Sequence, residues 1–239
     1  MRLGIGTNGT TRAQIRANAN VNAIGQFYGT VQELRAVLGP LLNIGTAEER
    51  ARNSASVRQV TPGEASELLS ATTPIERIAT KSAMPDSRTL LTDRQVGAAA
   101  ERLLEWPGSG NEDGAGFAMF TLGGEINRVA PDATAFVHRG DLFVFAAETS
   151  WADYDRPGVA DANLRWLDQF YGDIFAEGTP EHSYQNFPDP TLKNRQDAYY
   201  GTNYPRLVQV KRKYDPDRLL QLPAGDRHAL SPNGAGHIG

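Results

Sequence analysis

The chain has 239 residues, enough for one large domain or two small ones, and its 40 % hydrophobic and 22 % charged residues are those of an ordinary soluble globular protein. Its formal charge of −4, from 24 Lys and Arg against 28 Asp and Glu, offers no attraction to a nucleic acid or an anionic membrane. Cysteine is absent, which excludes disulfides, thiolate metal ligands and a cysteine nucleophile.

Met1 is followed directly by RLGIGTNGTT, without the basic segment and apolar core of a signal peptide. No run approaches the roughly 18 apolar residues that span a bilayer. A soluble, cytoplasmic protein is expected, so the sequon Asn8-Gly9-Thr10 carries no weight. Gly4-Ile5-Gly6-Thr7-Asn8-Gly9 matches the GxGxxG fingerprint, but that mechanism needs a strand before it and an amphipathic helix after it. Only three residues precede Gly4, the following residues read as polar and strand-like, and the first acidic residue is Glu33. A glycine-rich turn or frayed terminus is the expectation here.

Asn20 to Phe27 reads as a strand. Thr30-Val31-Gln32-Glu33 is a capping box, in which threonine and glutamate satisfy each other's amides at a helix start. Val31, Leu34, Val37 and Leu38 follow at helical spacing, and Gly39-Pro40 is expected to stop the helix. Glu48 to Val60 is a polar connection or short helix. Thr61-Pro62-Gly63-Glu64 opens a helix carrying Leu68 and Leu69, and Ile75 to Pro85 looks irregular. Thr92-Asp93 caps a helix with Val96, Ala99, Ala100, Leu103 and Leu104 on one face, and Gly108 to Gly116 is a polar loop suited to mobility. Phe117–Leu122, Ala133–Val137 and Leu142–Ala147 read as strands, spaced too closely for parallel crossovers. Leu164, Leu167, Phe170, Tyr171, Ile174 and Phe175 mark the buried face of a long helix. The fold class is therefore α+β, an antiparallel sheet covered by helices on one face, with a C-terminal helical segment. From Gly225 an Ala, Gly and Pro-rich tail reads as disordered.

The four histidines, His138, His182, His228 and His237, form no HExxH or i, i+4 pair, and no GxSxG elbow is present. Neither a metal site nor a serine hydrolase is expected. Gly123 to Arg139 reads as strand end, polar turn and next strand, bringing Asn127, Arg128, Thr134 and His138 to one sheet edge. Two readings stand: a self-satisfied hairpin, or a substrate-binding edge. If Tyr184, Gln185 and Asn186 are extended, Tyr184 and Asn186 face the same side. A phenol near pKa 10 acts as a base only where its anion is stabilised; the alternative for Tyr184 is a core tyrosine with a bonded hydroxyl. Tyr199, Tyr200 and Asn203 precede a last basic helix, with Asn203 a natural N-cap and Pro205 tolerated in its first turn.

Two stretches, Gly-Gly-x-Ile-Asn-x-Val-x-Pro-x-x-Thr-Ala-Phe-x-His-Arg from Gly123 and Tyr-x-Asn-Phe-Pro-Asp from Tyr184 onward to Tyr-Asp-Pro-Asp, resemble the substrate domain and closing segment of the berberine-bridge-enzyme-like FAD-linked oxidoreductases. Phe27-Tyr28-Gly29 and Lys81-Ser82 look like further members of the pattern. The resemblance implies oxidation of an alcohol or sugar-type C–OH, with Tyr184 as catalytic base, Asn186, Tyr199, Tyr200 and Asn203 facing FAD, and Asn127, Arg128, Thr134 and His138 binding substrate. It also implies three segments: residues 1–180 as substrate-binding domain, 181–223 as the berberine-like segment and 224–239 as tail. The family usually closes on a Phe-x-x-Pro-Gln-Ser-Ile strand, where this chain has Leu220-Gln221-Leu222-Pro223-Ala224-Gly225.

The flavin-binding half of such enzymes has no counterpart here, and without cysteine no cysteinyl–flavin bond can form. FAD is thus expected to be shared with a partner chain bearing a flavin domain, in a split enzyme, a frameshift product or a fragment. Tyr184, Tyr199 and Tyr200 should then be exposed. The alternative from another class is a catalytically silent binding module.

Overall fold

The structure, a computed structural model, describes residues 1–69, 77–85, 91–178 and 180–220. The expected tail from residue 224 lies outside them. Five strands, β1 (Arg2–Thr7), β2 (Asn20–Ile24), β3 (Arg77–Ala83), β4 (Ala115–Thr121) and β5 (Phe143–Trp151), form one sheet in the order β2-β1-β4-β5-β3, and the β1–β4, β4–β5 and β5–β3 ladders are antiparallel. The chain forms two compact units, one of Met1 and Ile24–Pro74, the other of Arg2–Ala23 and Ile75–Gly239.

The first unit holds α2 (Val31–Leu42), α3 (Ala47–Ser56) and α4 (Pro62–Leu69), which follow α1 (Arg12–Asn18) in chain order. Thr30 and Glu33 form the expected capping box: the Glu33 amide donates to the Thr30 hydroxyl at 3.2 Å and the Thr30 amide to the Glu33 carboxylate at 2.7 Å. Those bonds hold the Glu33 carboxyl below its usual range. The helix does not stop at Gly39-Pro40. Pro40 sits in its last turn, where a missing amide costs one terminal bond, and Asn43 closes the end by donating to Gly39.

In the second unit, alternation along β4 and β5 sends Phe117, Phe143, Phe145 and Ala147 to one face, against α5 (Asp93–Leu103) and α7 (Val159–Ile174). Trp166 stacks on Phe170 at 4.6 Å, and Phe117 lies 4.9 Å from Phe145. Each such ring buried contributes about 1.5–3 kcal/mol. The helices are rotated relative to expectation. On α7 the buried stripe runs through Asn163, Trp166, Leu167, Phe170 and Ile174 while Leu164 faces solvent; on α5 Ala99 and Leu103 are buried while Val96 and Leu104 are exposed.

Several local expectations change. The GxGxxG stretch is strand β1 followed by α1, whose N-terminus is capped by its own Thr11 and Gln14. Its glycine pattern answers to strand packing: a Cβ on Gly4 would lie 2.5 Å from the Phe117 carbonyl oxygen. Ile75–Pro85 contains β3, Glu125–Arg128 forms the single helical turn α6, and residues 133–137 are loop. The 108–114 loop is tied down: Ser109 and Asn111 are buried, the Gly110 amide donates to Asp155, and Gly114 adopts φ +64° where any Cβ would strike the Thr7 carbonyl. The last elements among the described residues are α8 (Arg195–Tyr200), a 3-10 turn Gly201–Asn203 and α9 (Tyr204–Tyr214), as expected of a helical C-terminal segment.

Candidate active site

The sheet face opposite α5 and α7 carries Phe120 and Val144, and above them lies a pocket of about 430 Å³. Its walls come from three places: the sheet with Leu122, the α6 loop with Ile126, Phe136 and Arg139, and the segment Tyr184, Gln185 and Phe187. The aromatic rings interlock. Phe136 meets Tyr184 edge-on at 6.0 Å, Tyr184 meets Phe187 at 5.4 Å, and Phe187 lies 5.6 Å from Phe120. Arg139 sits 4.8 Å above the Phe136 ring and donates to the carbonyls of Ile126 and Phe136 and to the Thr134 hydroxyl, fixing the loop.

The segment bearing Tyr184 is anchored to β3 by side chains. Ser82 and Ser183 hydroxyls lie 2.7 Å apart, the Tyr184 amide donates to the Ser82 hydroxyl at 3.0 Å, and Met84 donates to the His182 carbonyl at 2.9 Å. The half-buried Lys81 ammonium donates to Thr191 at 2.7 Å and pairs with Asp189 at 3.1 Å and Asp168 at 3.0 Å. The Asp189 amide donates to the Tyr199 hydroxyl at 2.9 Å, and the Tyr199 carbonyl accepts from His138 Nε2 at 3.2 Å. Burial, together with nearby His182, holds the His138 imidazole down to about 4, so it is neutral near pH 7. Burial likewise pushes the Tyr171 phenol upward, with Asp189 adding to it.

Tyr184 lies half-buried at the pocket wall, its hydroxyl oxygen accepting from Asn186 Nδ2 at 3.0 Å. The two share a side because the backbone turns, with Phe187 donating to the Tyr184 carbonyl, and not because the segment is extended. Tyr199 is 2 % exposed and Asn203 is 7 % exposed; both turn inward. Asn203 does not cap α9: its amide donates to the carbonyls of Pro131 at 2.6 Å and Thr134 at 3.0 Å, stapling the loop to the last helix. Only Tyr184 and Tyr200, of the three tyrosines expected at the surface, are partly exposed. Of the residues expected to bind substrate, none lines the pocket. Asn127 and Arg128 are exposed on α6, where Arg128 pairs with Glu125 and the turn presents Ile126 instead; Thr134 serves Arg139, and His138 is buried below.

Gln185, which the sequence does not mark, has its Oε1 buried at the pocket wall with no hydrogen-bond donor among the described residues, an acceptor open to an N–H or O–H from a ligand. That orphan, beside the Tyr184–Asn186 pair, is the observation by which the pocket fits a ligand bringing N–H or O–H donors. The inward residues Tyr199 and Asn203 do not contribute to that fit.

An α+β fold built on such an antiparallel sheet is shared with solved berberine bridge and berberine-bridge-like enzymes. The berberine bridge enzyme structure from Eschscholzia californica superposes with a TM-score of 0.66 at 17 % identity, over 93 % of this chain and 47 % of that one, which establishes the shared fold. The family described as berberine and berberine like matches residues 183–225. The uncharacterized FAD-linked oxidoreductase YvdP of Bacillus subtilis is 30 % identical over 87 % of this chain and 44 % of its own, and the hexose oxidase of Chondrus crispus is 30 % identical over 41 % and 22 %. The chain belongs to the berberine-bridge-enzyme-like FAD-linked oxidoreductases, and it spans less than half the length of the curated relatives it matches. Among the described residues no helix is long and apolar enough to cross a membrane.

Proposed function

We propose that residues 1–180 form the substrate-binding domain, and 181–223 the flavin-facing segment, of an enzyme that oxidises an alcohol or sugar-type C–OH. The observation that carries this reading is Tyr184 at the pocket wall with its hydroxyl oxygen accepting from Asn186. An amide N–H aimed at that oxygen holds it in place at the wall, where Tyr184 takes the substrate hydroxyl proton as the C–H bond breaks. FAD, when bound, supplies the hydride acceptor and is reoxidised by oxygen. Gln185 Oε1 accepts from a second hydroxyl and orients the ring, while Phe120, Phe136 and Phe187 give apolar walls that exclude water. The flavin is shared with a domain or partner chain beyond these residues. A sugar is favoured because the hexose oxidase relative acts, by its name, on hexoses.

The test is to combine the chain with a flavin-bearing domain of the family and follow oxygen uptake on a panel of hexoses and small alcohols. Activity that falls at least about a hundredfold in kcat on Tyr184→Phe, with the fold intact by circular dichroism, supports the base role. No flavin absorbance and no substrate-dependent oxygen uptake favours the second reading, a silent binding module. That reading draws on Tyr199 and Asn203, whose bonding atoms are engaged inside the chain.

A further inference from the structure

Behind the pocket, on the far side of Tyr199 from Asp189, three residues converge that none of the proposed chemistry uses. His138, Asp141 and His182 bring one ligand atom each to within 4.8 Å of one another. The His138 side chain is fully buried. Its Nε2 faces the Tyr199 carbonyl, which can only accept, so Nε2 carries the hydrogen and Nδ1 presents its lone pair. Nδ1 has no hydrogen-bond partner among the described residues, and it looks at Asp141 Oδ2 3.6 Å away. That gap is too long for a hydrogen bond. It matches two ligands of one tetrahedral zinc-sized ion, which at about 2.0–2.1 Å from the metal lie about 3.4 Å apart.

The His182 ring completes the set, its centroid 5.1 Å from that of His138, and its exposure gives an ion a path in. We propose that His138, Asp141 and His182 bind a divalent transition cation of the zinc class, with the fourth position open to water. Two imidazoles and one carboxylate suit zinc, nickel or cobalt; calcium and magnesium ask for more oxygens. The Tyr199 carbonyl is the outer partner that orients His138, as ligating histidines require. The cation clips the loop after Phe136 to the start of the segment carrying Tyr184, because His182 precedes Ser183 directly. The inference does not depend on the oxidase reading.

The experiment uses the full chain, stripped with a chelator, in a His228→Ala, His237→Ala background that removes the other two histidines. Zinc is titrated by calorimetry, and cobalt by its visible absorption. One ion per chain, the cobalt band of a four-coordinate site, and a thermal midpoint raised by zinc are expected. His182→Ala, at an exposed position, should weaken binding at least about tenfold, the lower end of what losing even a supporting group costs a metal site. Asp141→Asn should weaken it in the same direction. No saturable binding by the parent, or unchanged affinity in His182→Ala, overturns the proposal.

Discussion

Two buried polar clusters flank the sheet, and they differ in how completely they are satisfied. On the helix side, Trp106 Nε1 donates to Asn163 Oδ1 at 2.6 Å and Thr149 Oγ1 at 3.0 Å, while Asn163 Nδ2 donates to the carbonyls of Val159 at 3.0 Å and Gly108 at 3.2 Å. Every side-chain group there has a partner. On the pocket side, His138 Nδ1 and Gln185 Oε1 are buried acceptors with none among the described residues. A cluster that closes on itself specifies the fold, whereas a cluster with open lone pairs is arranged for something that arrives.

Breaking the anchor of the pocket side should have the largest effect on stability. Lys81→Met leaves Asp189 half of a largely buried pair, and unfolding by urea should show a loss of about 3 kcal/mol, the low end for such a break. Asn163→Leu tests the closed cluster: it strands the Trp106 indole N–H and the Gly108 carbonyl, and should cost about 1–3 kcal/mol in the same assay. Glu148 lies on the pocket face of β5, where burial raises its carboxyl above the usual carboxylate range, with Arg2 opposing and Asp113 adding. The native state therefore holds that proton to higher pH than the unfolded chain does, and stability is lost as pH rises from about 4.5 through the folded value. Glu148→Gln should raise the thermal midpoint at pH 7, with the gain vanishing by pH 4. Gln185→Leu should change stability least, within about 0.5 kcal/mol or slightly upward, because it removes an acceptor that has no donor. A large loss there would mean the open cluster is closed after all.

Where a few neighbouring residues decide the outcome, the sequence was readable. Thr30 with Glu33 and Thr61 with Glu64 cap helices as expected, and Thr92 caps its helix in a box with Gln95, since each box satisfies its own amides within four residues. The strands at Phe117 and Leu142 were legible from their β-formers. β3 was not, because Thr80 and Lys81 become strand residues through partners about 65–70 positions away. Of the site, Tyr184 and Asn186 do lie together, but through a turn and not through the extended backbone that suggested it. Asn203 looked like a cap and became a staple, since the carbonyls of Pro131 and Thr134 offer it better-placed acceptors. Asp141 and His182 carry no local signal, for their association exists only once the loop and the C-terminal segment are folded together.

The anchoring of the Tyr184 segment has an evolutionary consequence. Its root, Lys81 with Asp189 and Ser82 with Ser183, joins residues about a hundred positions apart, so these must change together or not at all. At the tip, Gln185 to Phe187, the side chains make no distant hydrogen bond among the described residues, and only the Phe187 carbonyl accepts one, from the Ser82 hydroxyl at 3.5 Å. Substitution there can retune the pocket for a new ligand while the hold on β3 persists. A lineage built this way can change what it recognises faster than it changes its shape.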